Sequence, residues 1–82
     1  DLKEKLTQFL HSGDYSSFLN TINIEELPVE TADDVIVEIN EELKSKPGTF
    51  ELWQSLGDIQ SKKDNLNEAL SAYKEAEKHL FQ

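Results

Sequence analysis

Residues 50–81 read FELWQSLGDIQSKKDNLNEALSAYKEAEKHLF. Trp53 stands three residues before Leu56 and four before Gly57, so an indole, a leucine and a residue without a side chain fall on adjacent turns of one helix face. Downstream, Ala69, Tyr73 and Ala76 alternate small and bulky at helical spacing. The polar stretch SKKDN separates the two runs, and a short polar link between amphipathic helices implies antiparallel neighbours. Glycine inside a helix costs about 1 kcal/mol relative to alanine. It belongs where another helix comes too near for a Cβ. Gly57, Ala69 and Ala76 are therefore expected at close approaches, with Trp53, Leu56 and Tyr73 filling the volume between them. The indole is expected in the core of the hairpin rather than on a ligand.

Working outward, the same periodicity predicts three more helices. The first runs from Leu2 to about His11, with Leu2, Leu6, Phe9 and Leu10 at helical spacing and Gly13 as its stop. The second starts after Asp14 and carries Tyr15, Phe18, Leu19 and Ile22. Pro28 breaks the pattern. The third is expected to start at Thr31, because Thr31 and Asp34 have nearly the spacing of a capping box. Its stripe is Ala32, Val35, Ile36, Ile39 and Leu43, and Pro47-Gly48 ends it. The fourth opens after Thr49 with Phe50, Leu52, Trp53, Leu56 and Ile59 as its apolar positions. The fifth opens near Asp64 or Asn65, with a stripe of Leu66, Ala69, Leu70, Tyr73, Ala76, Leu80 and Phe81. No strand signal appears.

The Trp-Leu-Gly and Ala-Tyr-Ala spacing of residues 50–81 resembles one tetratricopeptide repeat, a family of helical hairpins of about 34 residues. Trp53, Leu56 and Gly57 match the first-helix signature, and Ala69, Tyr73 and Ala76 the second. The lead-in KPGT resembles the linker between such repeats. The stretch GDYSSFLNTI resembles a family turn and second-helix start, although Phe18 stands where a small residue is usual. Gln60 replaces a customary aromatic, Glu77 an apolar residue, and Phe81 the closing proline, departures that suit an end-capping repeat. The resemblance implies an all-α fold of about five helices, with antiparallel hairpins stacked as a short solenoid. Residues 1–82 are then one domain: a divergent hairpin over 1–30, a single helix over 31–47, and the repeat hairpin over 50–81. The chain lacks Met and opens in helical rhythm, so it is expected to be a piece of a longer protein.

Composition narrows the function. Hydrophobic residues make up 37% of the chain, enough for a folded core. Seventeen acids face eight lysines, arginine is absent, and the net charge is −9. Nucleic acid and anionic lipid surfaces are therefore repelled, and basic or apolar protein partners are favoured. No apolar run reaches the roughly 20 residues needed to cross a bilayer. With no Cys there is no thiolate nucleophile or thiolate metal site. His11 and His79 lie far apart with no second ligand at fixed spacing, and each suits a helix C-terminus. Ser12 follows His11 directly, but adjacent helical residues point apart, so no nucleophile–base pair is read. Neither an enzyme, nor a cofactor, nor a metal is expected.

Two surfaces are candidates for partner binding. In the repeat family the first helices line a peptide groove, which the resemblance places here at Glu51, Gln54, Asp58 and Ser61. Gln54 and Asp58 hold the places of a carboxylate clamp, and Asp58 would repel a carboxylate, so a chaperone-tail clamp is not expected. The other surface is the run from Glu25 to Glu42, which holds eight acids and no base; Asp34, Glu38 and Glu41 share one face. Each set equally suits an ordinary solvated helix face. The expected function is a non-catalytic interaction or assembly module that presents an acidic helical surface to a partner peptide or protein. The alternatives are a structural or self-associating domain using Leu80 and Phe81, or a regulatory domain of an enzyme elsewhere in a longer chain. A cytoplasmic setting is the default expectation.

Overall fold

The computed structural model describes residues 1–80, and these form five α-helices: α1 (Leu2–Ser12), α2 (Tyr15–Ile24), α3 (Val29–Ser45), α4 (Phe50–Lys62) and α5 (Leu66–Leu80). The all-α class and the five helices agree with the sequence reading. Phe81, the last residue of the expected fifth stripe, lies outside the described residues.

The punctuation is local chemistry. Asp1 caps α1 by accepting from the Glu4 amide, and Gly13 closes it in the left-handed region at φ 81°. Asp14 caps α2 by accepting from the Ser17 amide at 3.3 Å. The start of α3 differs from the expectation. The helix begins at Val29, two residues before Thr31, with the Ala32 amide donating to the Pro28 carbonyl at 2.9 Å. Pro28 has no N–H to lose and its fixed φ suits a helix entrance. Thr31 is thus already helical and caps nothing. Glu30 holds the acidic first-turn place, and Asp33 and Asp34 fall in the second turn.

Four helices close into a ring. Each of α2 and α3 packs against α1 on one side and α4 on the other, and α2 meets α3 through long side chains, the Tyr15 hydroxyl donating to Glu42. The ring encloses one cluster: Leu6, Leu10, Phe18, Ile22, Val35, Ile39, Leu52 and Ile59 are all buried to within 2%. The radius of gyration is 11.5 Å, close to the roughly 11.7 Å of a compact domain of this length. Helix α5 stands outside the ring, held among the described residues by α4 alone.

Because α4 touches α2, α3 and α5, it is buried nearly all round. Even Ser55 is fully buried, its hydroxyl donating to the Glu51 carbonyl at 2.6 Å. The α4–α5 contact carries a second difference from the expectation. The side of α5 that meets α4 is Ala69, Ala72 and Ala76, all buried, whereas Leu66, Leu70 and Leu80 are 66%, 54% and 54% exposed. Small side chains let the axes approach; the leucines lie to one side of that contact and face outward.

Candidate partner-binding surfaces

Asp58 is the most heavily engaged of the expected groove residues. Its carboxylate accepts from Asn23 of α2 at 3.0 Å and from the Tyr73 hydroxyl of α5 at 2.5 Å. One acid of α4 therefore ties α2 and α5 to the central helix. Nearby, the Lys62 ammonium donates to the Ile22 carbonyl at the end of α2. Glu51 and Gln54 are half-buried and Ser61 is exposed. Within this set Asp58 serves as a structural tie. Burial, the hydrogen bond to Asp58 and the negative charge of that carboxylate push the Tyr73 phenol up to about 12.

The repeat-signature residues take distinct places. Leu56, Gly57, Ala69 and Ala76 are buried as expected. Tyr73 lies over Gly57, but at 37% exposure it is on the rim rather than inside. Trp53 packs against the core while remaining half-buried, and its indole N–H donates to the Pro47 carbonyl at 2.7 Å. That bond fixes the ring beside the α3–α4 turn instead of in the middle of the α4–α5 hairpin.

The acidic run on α3 is largely paired. Asp34 meets Lys3 at 3.3 Å, Glu41 meets Lys44 at 3.1 Å, and Asp33 pairs with Lys63. Glu38 is half-buried beside them. Glu42 accepts from the Tyr15 hydroxyl at 2.9 Å, and Tyr15 accepts from Lys46 at 2.9 Å. The Lys46 ammonium also sits 5.3 Å from the Tyr15 ring centroid. The Tyr15 hydroxyl, and to a lesser degree the Glu42 carboxylate, raise the Lys46 pKa above its ordinary value. These contacts fasten the α3 face to α1, α2 and α4.

Two features were not anticipated from the sequence. The first is the outward row Leu66, Leu70, Tyr73 and Leu80 on α5, spaced four, three and seven residues apart, of which the sequence reading offers only Leu80 as an exposed edge. The second is a groove of about 360 Å³ where α3 and α5 diverge across α4, floored by Trp53 and Leu56. The row was legible as a helical stripe; only the three alanines could have signalled that it faces outward. No helix is long and apolar enough to cross a membrane among the described residues. Comparisons with models of known protein families, with curated proteins and with solved structures return no match.

Proposed function

We propose that this chain is a non-catalytic protein–protein interaction module that presents an acidic helical surface to a partner peptide or protein of basic or apolar character. The observation that carries this reading is the outer face of α5. Leu66, Leu70, Tyr73 and Leu80 stand exposed in one row on a helix whose inner side is alanine. An exposed apolar row of this kind marks an interaction surface. Exposed Glu77 lies on the same face, and the chain carries a net charge of −9. The favoured partner is an amphipathic helix with an apolar seam and basic flanks, docking lengthwise on α5.

The resemblance of residues 50–81 to a tetratricopeptide repeat supports the same reading, since one such hairpin leaves a face for a neighbour to cover. The row stands on an already folded helix, so little ordering is needed on binding, which favours affinity.

The test is calorimetric titration with a designed helical peptide bearing a leucine seam and lysine flanks, against the protein and its Leu66→Ser/Leu70→Ser variant. Saturable binding lost in the variant supports the proposal. Equal binding by both, or none by either, overturns it.

The same row favours one other reading, association with a second copy of this chain. Charge of −9 on each copy opposes that pairing at low salt. Sedimentation equilibrium separates the two: a dimer that the Leu66→Ser/Leu70→Ser variant dissolves would replace the docking reading.

A further inference from the structure

The groove between α3 and α5 lies on the opposite flank of α5 from its exposed apolar row. It opens because both helices pack on α4 but not on each other. Its floor is apolar, built from Trp53, Leu56 and Ala72. The indole N–H is already taken by the Pro47 carbonyl, so what Trp53 offers the groove is ring surface. Asn40 of α3 and Asn67 of α5 line it from opposite walls. Glu68 and Glu75 line the α5 wall, two turns apart, a separation of about 10 Å along the helix. Glu68 belongs to none of the ion pairs among the described residues. Glu75 meets Lys78 at 3.0 Å through one carboxylate oxygen and lies 4.0 Å from His79 through the other.

We infer that this groove binds an extended, basic peptide segment in which an apolar side chain seats on Trp53 and Leu56 and flanking cations meet Glu68 and Glu75. An extended chain advances about 3.3 Å per residue with side chains alternating in direction, so cations three residues apart span about the distance between the two carboxylates, and their long, flexible side chains reach the α5 wall from either side of the backbone. Asparagine amides both donate and accept, as a peptide backbone running between the walls requires. Arginine or lysine beside an indole also gains from the ring's negative face. About 360 Å³ suits one apolar side chain with its adjoining backbone, at the small end of binding pockets.

The inference deepens the interaction-module reading by naming a second contact surface and its ligand chemistry. Its test uses residues that the α5 row does not share, so one can fail while the other stands. Trp53 is the sole tryptophan, and its fluorescence reports on the groove. The probe is a blocked Gly-Arg-Leu-Ser-Arg-Gly peptide, compared with versions carrying Gln or Glu for both Arg, and Ser for Leu. The arginine peptide is expected to give a saturable change that weakens roughly tenfold with the Gln peptide or when Leu becomes Ser. The Glu68→Gln/Glu75→Gln variant, in which Glu68 is exposed and Glu75 half-buried, is expected to lose the preference for arginine while melting within a few degrees of the parent. A response equal for Arg, Gln and Glu peptides, an unchanged preference in the variant, or no saturable response would each overturn the proposal.

Discussion

The ring of Tyr73 occupies the space that a side chain at Gly57 would need. A Cβ built on Gly57 stands 2.5 Å from Tyr73 Cε1 and 2.7 Å from Cδ1. Glycine is thus required by a neighbour on another helix, not by backbone conformation, and the same ring reaches onward to Asp58.

Gly57→Ala should therefore destabilise the fold despite alanine's better helix propensity. Overpacking of about 1–3 kcal/mol opposes a propensity gain of about 1 kcal/mol, for an expected net loss near 1 kcal/mol. Gly57→Leu should cost more. A double-mutant cycle isolates the cause: with Tyr73→Ala already in place, Gly57→Ala should become neutral or stabilising in urea melts. A loss that persists without the ring would refute the close-approach account.

The phenol of Tyr73 gives a pH signature. Its folded pKa of about 12 lies above the ordinary 10, so the unfolded chain loses this proton first. The contribution is complete below pH 10 and disappears as pH rises from 10 to about 12. The ring is more than one-third exposed, so solvent screening reduces the amplitude. Across this alkaline window the parent should lose stability relative to its Tyr73→Phe variant, and below pH 10 the difference between them should stay constant. An identical pH dependence in the two would disprove the assignment.

Asp58 should behave as a tie and not as a loose surface charge. Asp58→Asn keeps the shape but removes the charge that strengthens the bonds from Asn23 and Tyr73. About 1 kcal/mol of stability should be lost. Glu51→Gln, on the same face, should cost less than about 0.5 kcal/mol. Denaturant midpoints of the two variants measure the contrast, and equal midpoints would return Asp58 to the solvated face.

The α4–α5 turn holds a small reserve of strain. Asp64 is at φ 62°, the one non-glycine residue with positive φ among those described. Left-handed backbone costs an ordinary L-residue roughly 1–2 kcal/mol, less for Asp, and glycine avoids it. Asp64→Gly should raise the melting temperature modestly. A fall would mean that the Asp64 side chain gives the turn more than its backbone loses.

The alternation of apolar positions made all five helices legible, and Asp1, Gly13, Asp14 and Pro47-Gly48 punctuate much as their chemistry suggests. Gly57 announced a close neighbour on its own. What the pattern did not carry was direction about an axis. In α5, Leu66, Leu70 and Leu80 share a stripe with Ala69 and Ala76, and a periodic count favours the larger residues for the core. Packing chose the alanines, because only they let α5 reach α4. The start of α3 was misplaced because Thr31-Asp34 imitates a cap, while Pro28 opens a helix without any side-chain bond. The charges of Asp34, Asp58 and Glu42 were legible as charges. Their partners, Lys3, Asn23, Tyr73 and Tyr15, are distant in sequence, and no local spacing encodes such meetings.

The outlying position of α5 sets how the molecule comes apart. The buried cluster belongs to α1–α4, and Ala72 is the only α5 residue in it. Lifting α5 away would break the Asp58–Tyr73 bond and uncover the Gly57 face of α4, yet leave the ring of four closed. Amide protons of α5 therefore have an escape route cheaper than global unfolding, and those of α3 do not. Under native conditions deuterium should enter α5 first, as one cooperative block. A ligand spanning α5 and α3 would close that route, so its presence would register as slowed exchange in a helix that the free protein protects least.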